Sequence, residues 1–437
     1  MRKKRFVMNA ARREALTGYL MTAPALILIF AVALFPVLRT FYLSTFDLRL
    51  NNASLSKTYK THNLDLEYYA DTYFRLNKRL AYVSGGEDKE AASAAQSLME
   101  SISQTQKELL GTEGLTDSYE IVYEAVLSMK SLNNDELTVR EIDQESAEML
   151  KDNINDVIAR LEPYKDVENV DVAIEIARDM EASLREPNFV GFNNYKVLFS
   201  NDRLGRSLAN TFIFVVFAVF FELCIGILLG LLMNKVFVGR GIVRASILIP
   251  WSIPAAVSAL MWRFMYDGEY GIISNLFENI GLFSSASDIL TTKSGAMFGL
   301  IFADIWKTSP YMGLMILAGL QTIDSGLYEA ATIDGANRIQ QFFKVTLPLL
   351  RPSILVALVF RTLDTFKVFD LVSVMTNGGP SNSTETISVY AYKTMFANMN
   401  FGLGSAIAVV MFAVLAVICM IYVNVFGADL FKTERES

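Results

Sequence analysis

The chain has one histidine, His62, and two cysteines, Cys224 and Cys419, among its 437 residues. A single imidazole excludes multi-histidine zinc sites and serine–histidine triads, and His62 reads as a surface or capping residue rather than a metal ligand. Two cysteines lying inside apolar runs supply neither a disulfide framework nor a cysteine-rich metal site. Charge is scarce: acidic and basic residues make up 19% of the chain, and 39 Lys and Arg against 46 Asp and Glu leave a net −7. A chain that is acidic overall is a poor match for a phosphate backbone, which removes nucleic acid as a partner. The chain also lacks G-x-x-x-x-G-K-[ST], the loop that cradles nucleotide phosphates. Chemistry built on carboxylates, lysine or tyrosine stays open.

What is abundant is apolar surface, at 52% of residues. A bilayer core takes about 20 apolar residues of helix, and six runs reach that length: Tyr19 to Phe41, Leu208 to Met233, Ala245 to Tyr266, Ala296 to Leu320, Ser353 to Thr376 and Leu403 to Phe426. Six transmembrane helices are predicted. The first follows a basic cluster, but its run is longer than a signal peptide's and no A-x-A-like cleavage site follows, so it is expected to remain as an anchor. Lys and Arg gather before helix 1, in 235 to 244, in 323 to 351 and in the tail, whereas 267 to 295 and 377 to 402 hold only Lys293 and Lys393. The positive-inside rule then places both termini in the cytoplasm of a bacterial or archaeal plasma membrane.

Residues 1–46 are thus read as a cytoplasmic N-terminus with helix 1, 47–188 as an extracytoplasmic insert, 189–427 as the membrane core, and 428–437 as a cytoplasmic tail. From Asp47 to Arg206 the chain carries 18 basic and 30 acidic residues, which suits the solvated surface of a separately folded domain. Its pattern is helical. Thr138-x-x-Glu141 reads as a capping box, followed at helical spacing by Ala147, Leu150, Ile154, Val157, Ile158 and Leu161; Tyr119, Val122, Tyr123 and Val126 repeat the pattern. Gly85-Gly86, Gly111 to Gly114 and Asn133-Asn134 read as turns between four or five helices.

Residues 323–350 connect helices 4 and 5. Asp324 or Ser325 caps a short helix, Gly335 ends or bends it, and a second amphipathic run places Ile339, Phe342, Phe343 and Leu347 to pack beneath the membrane before Pro348 and Pro352. Two short helices at an angle, a cytoplasmic knob, are expected. This stretch, YEAATIDGANRIQQFFKVTLPLLRP, resembles the EAA loop of the integral subunits of ABC importers. Together with Asp364 to Pro380 and Phe189 to Asn201, it resembles the carbohydrate-importer permeases of the maltose and glycerol-phosphate branch, with TNGGP pointing to the first permease of the pair.

The resemblance implies an all-α membrane protein of the type I importer permease fold, with six transmembrane helices and an inserted helical extracytoplasmic domain. It implies a transport subunit with no catalytic residue, metal or cofactor of its own. The implied partners are a second permease subunit, two ATPase subunits that bind and hydrolyse ATP, an extracytoplasmic solute-binding protein, membrane lipid and a small carbohydrate or polyol. Glu329, Ala330, Ala331, Asp334, Gly335 and Ala336 would form the coupling helix that docks on the ATPase.

Charged groups at bilayer depth usually face a bundle interior or a wet cavity. Asp304, Lys307 and Tyr311 share one face of helix 4, and helix 5 carries Arg361, Asp364 and Thr365. The resemblance aligns these six and Thr308 with the sugar-lining part of the family. Alternatively, the charges pair with one another, Asp304 with Lys307 or Arg361 with Asp364, and only hold the helices together. Glu222 reads as a buried hydrogen-bonded group or a partner for another subunit, Gly226-x-x-x-Gly230 as a packing signal, and Pro250 with Pro254 as a break in helix 3. A membrane receptor or an integral-membrane enzyme are the rival classes.

Overall fold

The computed structural model describes residues 10–432 apart from 113, 131, 133 and 134; the basic positions Arg2 to Arg5, the predicted Asn133-Asn134 turn and the end of the tail lie outside them. The chain divides into two compact units, one made of 42–194 with 399–402, the other of the segments before 42, from 195 to 398 and from 403 onward.

In the first of these, the apolar periodicity produces helices Leu66–Ser84, Lys89–Thr112, Thr116–Leu127, Gln144–Leu161 and Val170–Glu181. They enclose a core that includes Leu76, Leu98, Val122, Ile154 and Ala177. Gly85 and Gly86 close the first helix through bonds from their N–H groups to Tyr82 and Val83 carbonyls. A small sheet was not expected: His62–Asp65 pairs antiparallel with both Val139–Ile142 and Leu184–Arg185, with His62 opposite Ile142. Thr138-x-x-Glu141 is therefore not a capping box. Residues 139–142 are in the ladder, and Asp143 caps the following helix, its carboxylate accepting from Ser146 N–H at 2.7 Å. Strands of two to four residues are too short to show an alternating pattern.

Two asparagines tie the ends of this unit together. Asn188 donates to the carbonyls of Asp47 (3.0 Å) and Lys57 (2.8 Å) and accepts from Tyr59 N–H (2.8 Å). Asn194, buried, donates to the carbonyls of Ser44 and Phe46, both at 2.8 Å. The incoming and outgoing segments are thereby stitched side by side through backbone carbonyls of the incoming one.

In the other unit, helices Asp202–Asn234 and Lys293–Leu320 pack closely along a seam of small residues. A Cβ at Gly226 would strike Met312, and one at Gly230 would lie 2.9 Å from Ile316 Cγ2, so the Gly226-x-x-x-Gly230 pattern does act in packing. Among the described residues, three helical stretches are long and apolar enough to cross a membrane: Gly18–Leu43, Asp202–Asn234 and Phe401–Asn424. Two further predicted spans are not straight rods. Arg240–Ser252 and Ala255–Met265 meet at 88° across Ile253-Pro254. Arg338–Leu349 and Arg351–Met375 meet at 64°, and within the latter Arg351–Phe366 stops at Lys367 before Asp370–Met375 resumes. Counting each bent pair as one span gives up to five. Lys293–Leu320, 28 residues and so about 42 Å long, falls short in apolarity because Asp304, Lys307, Thr308 and Ser309 occupy its middle.

Candidate functional site

Arg361 is the hub of a buried polar cluster. Its side chain, 3% exposed, lies beside Glu222, fully buried on helix Asp202–Asn234, and Asp304, 9% exposed on helix Lys293–Leu320. Nε donates to Glu222 Oε2 (2.5 Å), Nη2 to Glu222 Oε1 (2.9 Å) and Asp304 Oδ2 (2.6 Å), and Nη1 to Asp364 Oδ2 (2.7 Å). The Thr308 hydroxyl completes the ring, donating to Glu222 Oε1 at 2.6 Å and accepting from Arg361 Nη2 at 3.1 Å. A guanidinium can sit this deep only because its planar fork meets carboxylates on several sides. Three helices are thus joined by one cation. Asp304 pairs with Arg361 and not with Lys307, whereas the Arg361–Asp364 pair does form. Glu222 belongs to this cluster, a role no pattern within its own helix reveals.

The cluster forms one wall of a cavity of about 310 Å³. Of the seven residues proposed for the substrate route, Asp304, Lys307, Thr308, Arg361, Asp364 and Thr365 line it, joined by Lys367, Phe369 and Asp370 from the break after helix Arg351–Phe366. Tyr311 does not line it. Its ring stacks on Trp251, centroids 5.4 Å apart and planes 18° from parallel. Lys307 donates to the carbonyl of Ile253 at 2.6 Å and approaches that of Trp251 at 3.4 Å. Helix Arg240–Ser252 ends here, so the carbonyls at its end have no N–H partner further along it, and the ammonium takes up those of Trp251 and Ile253. Trp262, on the helix that follows, packs edge-on against Trp306.

The connecting segment 323–350 forms two short helices. Asp324 caps Ser325–Ile333, accepting from Gly326 N–H at 2.8 Å. At its other end Gly335 takes φ +82°, Gly335 N–H bonds Thr332 O and Ala336 N–H bonds Ala331 O, the paired closure that favours glycine at this position. Asn337 and Gln340 then form a reciprocal capping box that starts Arg338–Gln341. Gln341 bridges back to the Thr332 hydroxyl at 2.9 Å, and Tyr328 Oη meets Thr346 Oγ1 at 3.0 Å, fixing one helix on the other. Helix Ser325–Ile333 buries no side chain. Glu329, Ala330 and Asp334 are exposed, Ala331 and Ala336 half-buried. Ile339 and Phe343, expected to pack, are exposed as well, as are Leu327 and Ile333.

A further buried carboxylate, Glu385, lies in the segment after helix Asp370–Met375. Arg203 donates to both its oxygens at 2.8 Å, and Lys393 lies 3.2 Å away. Burial raises the carboxyl's pKa, but these two cations outweigh it and hold it below its ordinary value.

Residues 222–432 match the family described as binding-protein-dependent transport system inner membrane component. The trehalose/maltose transport system permease protein MalF of Thermococcus litoralis is 39% identical over 58% of this chain and 84% of its own length. The sulfoquinovosyl glycerol transport system permease protein SmoG of Agrobacterium fabrum is 39% identical over 54% of this chain and 76% of its own. The trehalose transport system permease protein SugA of Mycobacterium tuberculosis is 36% identical over 58% and 80% respectively. A long, heavily apolar set of helices around a buried polar cluster is the architecture of an integral membrane protein, and the chain belongs to the family of binding-protein-dependent transport system inner membrane components.

Proposed function

We propose that this chain is one of two permease subunits of an ATP-driven importer, forming half of the path for a carbohydrate or polyol. The observation that carries the reading is the cavity: groups from separate helices converge on a space walled by hydroxyls, carboxylates and ammonium groups, with an aromatic ring at its edge. Such a lining suits a polyhydroxylated solute, each of whose hydroxyls both donates and accepts. The sugar transport named for its relatives in T. litoralis and M. tuberculosis supports the same choice of cargo.

In this reading both termini are cytoplasmic, the unit built on 42–194 is extracytoplasmic and contacts a solute-binding protein or stiffens the outer mouth, and two separate ATPase subunits bind the nucleotide. The exposed helix Ser325–Ile333, with Leu327 and Ile333 open to a partner, is the coupling element. Glu329 pairs with the ATPase, Ala330 and Ala331 allow close approach, and Asp334 to Ala336 set the bend. Transport is by alternating access, driven by movement of this knob with the ATPase dimer.

The test is ATPase activity in liposomes of the chain assembled with its neighbouring permease, ATPase and binding-protein subunits. A loaded binding protein should stimulate hydrolysis, and Gly335→Asp should abolish the stimulation, because a side chain is strained at φ +82°, while membrane insertion stays intact. Absence of any complex with an ATPase would remove the coupling role.

A further inference from the structure

Resting on the carbohydrate reading above, we infer that the cargo is an uncharged sugar or polyol, and that this cavity rejects phosphorylated, sulfonated and uronic acid sugars. Holding an anion at low dielectric takes a cation with N–H donors to spare. Arg361 keeps one N–H of Nη1 without an acceptor, but its charge is already met by three carboxylates, those of Glu222, Asp304 and Asp364, with the Thr308 hydroxyl on Nη2. Lys307 is turned to backbone carbonyls at the helix break. Among the described residues lining the space, Lys367 is the remaining cation, and the carboxylates of Asp364 and Asp370 border the same volume. The side chain of Asp364 is 74% exposed and gives one oxygen to Arg361. Its other oxygen accepts from a sugar hydroxyl but repels a phosphate or carboxylate. The lining balances three acidic groups, Asp304, Asp364 and Asp370, against three basic ones, Lys307, Arg361 and Lys367, and Glu222 adds a fourth carboxylate behind the guanidinium. The sign of the cargo is open among its relatives, since sulfoquinovosyl glycerol, the solute named for the A. fabrum relative, is an anion.

The experiment has two arms. In the first, proteoliposomes of the whole importer take up a panel of neutral sugars (maltose, trehalose, sucrose, glycerol) and anionic ones (glucose 6-phosphate, glycerol 3-phosphate, glucuronate), each at saturating concentration. Uptake confined to neutral members, by at least tenfold, is the expected result; comparable uptake of an anionic member overturns the inference while leaving the carbohydrate reading standing. Uptake of none overturns both. The second arm removes selection by the binding protein: equilibrium binding of the best neutral sugar and of its phosphate is measured on the purified complex in nanodiscs without binding protein. The neutral preference should persist there and shrink at least threefold in Asp364→Asn/Asp370→Asn. A preference unaltered by that double variant, in protein that still binds the neutral sugar, places discrimination elsewhere and overturns the assignment to this wall.

Discussion

At the scale of single residues, Glu222 and Arg361 decide more than any others. Removing one partner of a buried ion pair strands the other charge without solvent, at a cost of about 3–5 kcal/mol. Glu222→Ala should therefore lose folded protein on heating far earlier than wild type, and Glu222→Gln, which keeps the volume and part of the hydrogen bonding, should lose less; a Glu222→Ala protein as heat-stable as wild type would show that the cluster does not hold the helices. Glu385 yields a pH signature of known sign. Its folded pKa is depressed by Arg203 and Lys393, so its stabilisation is complete above the unfolded value of about 4.3 and is lost as pH falls through the lower, folded value. The Glu385→Gln variant should be less stable than wild type at neutral pH, with the gap closing as acid unfolding is followed below about pH 4. Neither partnership was legible in the sequence. Arg361 and Glu222 stand 139 positions apart, and a pattern read along one helix carries no information on what faces it from another. Asp364, one turn from Arg361, was legible because helical spacing alone brings i and i+3 together.

At the scale of elements, the long apolar helices and the knob at 323–350 follow from composition, caps and glycine position, and the structure forms them where those signals fall. Broken helices are harder to read. Pro254 marks the first break, but nothing local to Lys367 announces that helix Arg351–Phe366 stops there and a six-residue helix follows. The two- to four-residue strands were invisible for the same reason of length, and the capping-box pattern at Thr138 was overridden by the ladder with His62–Asp65. The glycine seam makes a sharper statement. Leucine at 226 has no room against Met312 and the Gly313 backbone, and overpacking of this kind costs about 1–3 kcal/mol. Gly226→Leu should lower the yield of monodisperse protein, whereas leucine at Gly241, where a Cβ meets nothing within 4 Å, should leave it unchanged.

At the scale of the whole molecule, two sets of apolar clusters form with no residue in common: one spans 64 to 184, the others lie between 198 and 407. Deleting 52–186 keeps Asn188 and Asn194 and leaves the second set intact, so the truncated chain should still insert and assemble with its partners. If the deleted unit docks the binding protein, ATPase stimulation should require a higher binding-protein concentration; a titration identical to wild type would leave only a stiffening role. The tryptophans carry a further consequence. All three, Trp251, Trp262 and Trp306, sit at the broken helix or pack against it, and none falls between 42 and 194. Within this chain, intrinsic emission excited at the red edge of the indole band is therefore a native optical probe confined to that break, and partner subunits stripped of tryptophan would leave it the sole signal. It would follow rearrangement there during a transport cycle without any attached dye.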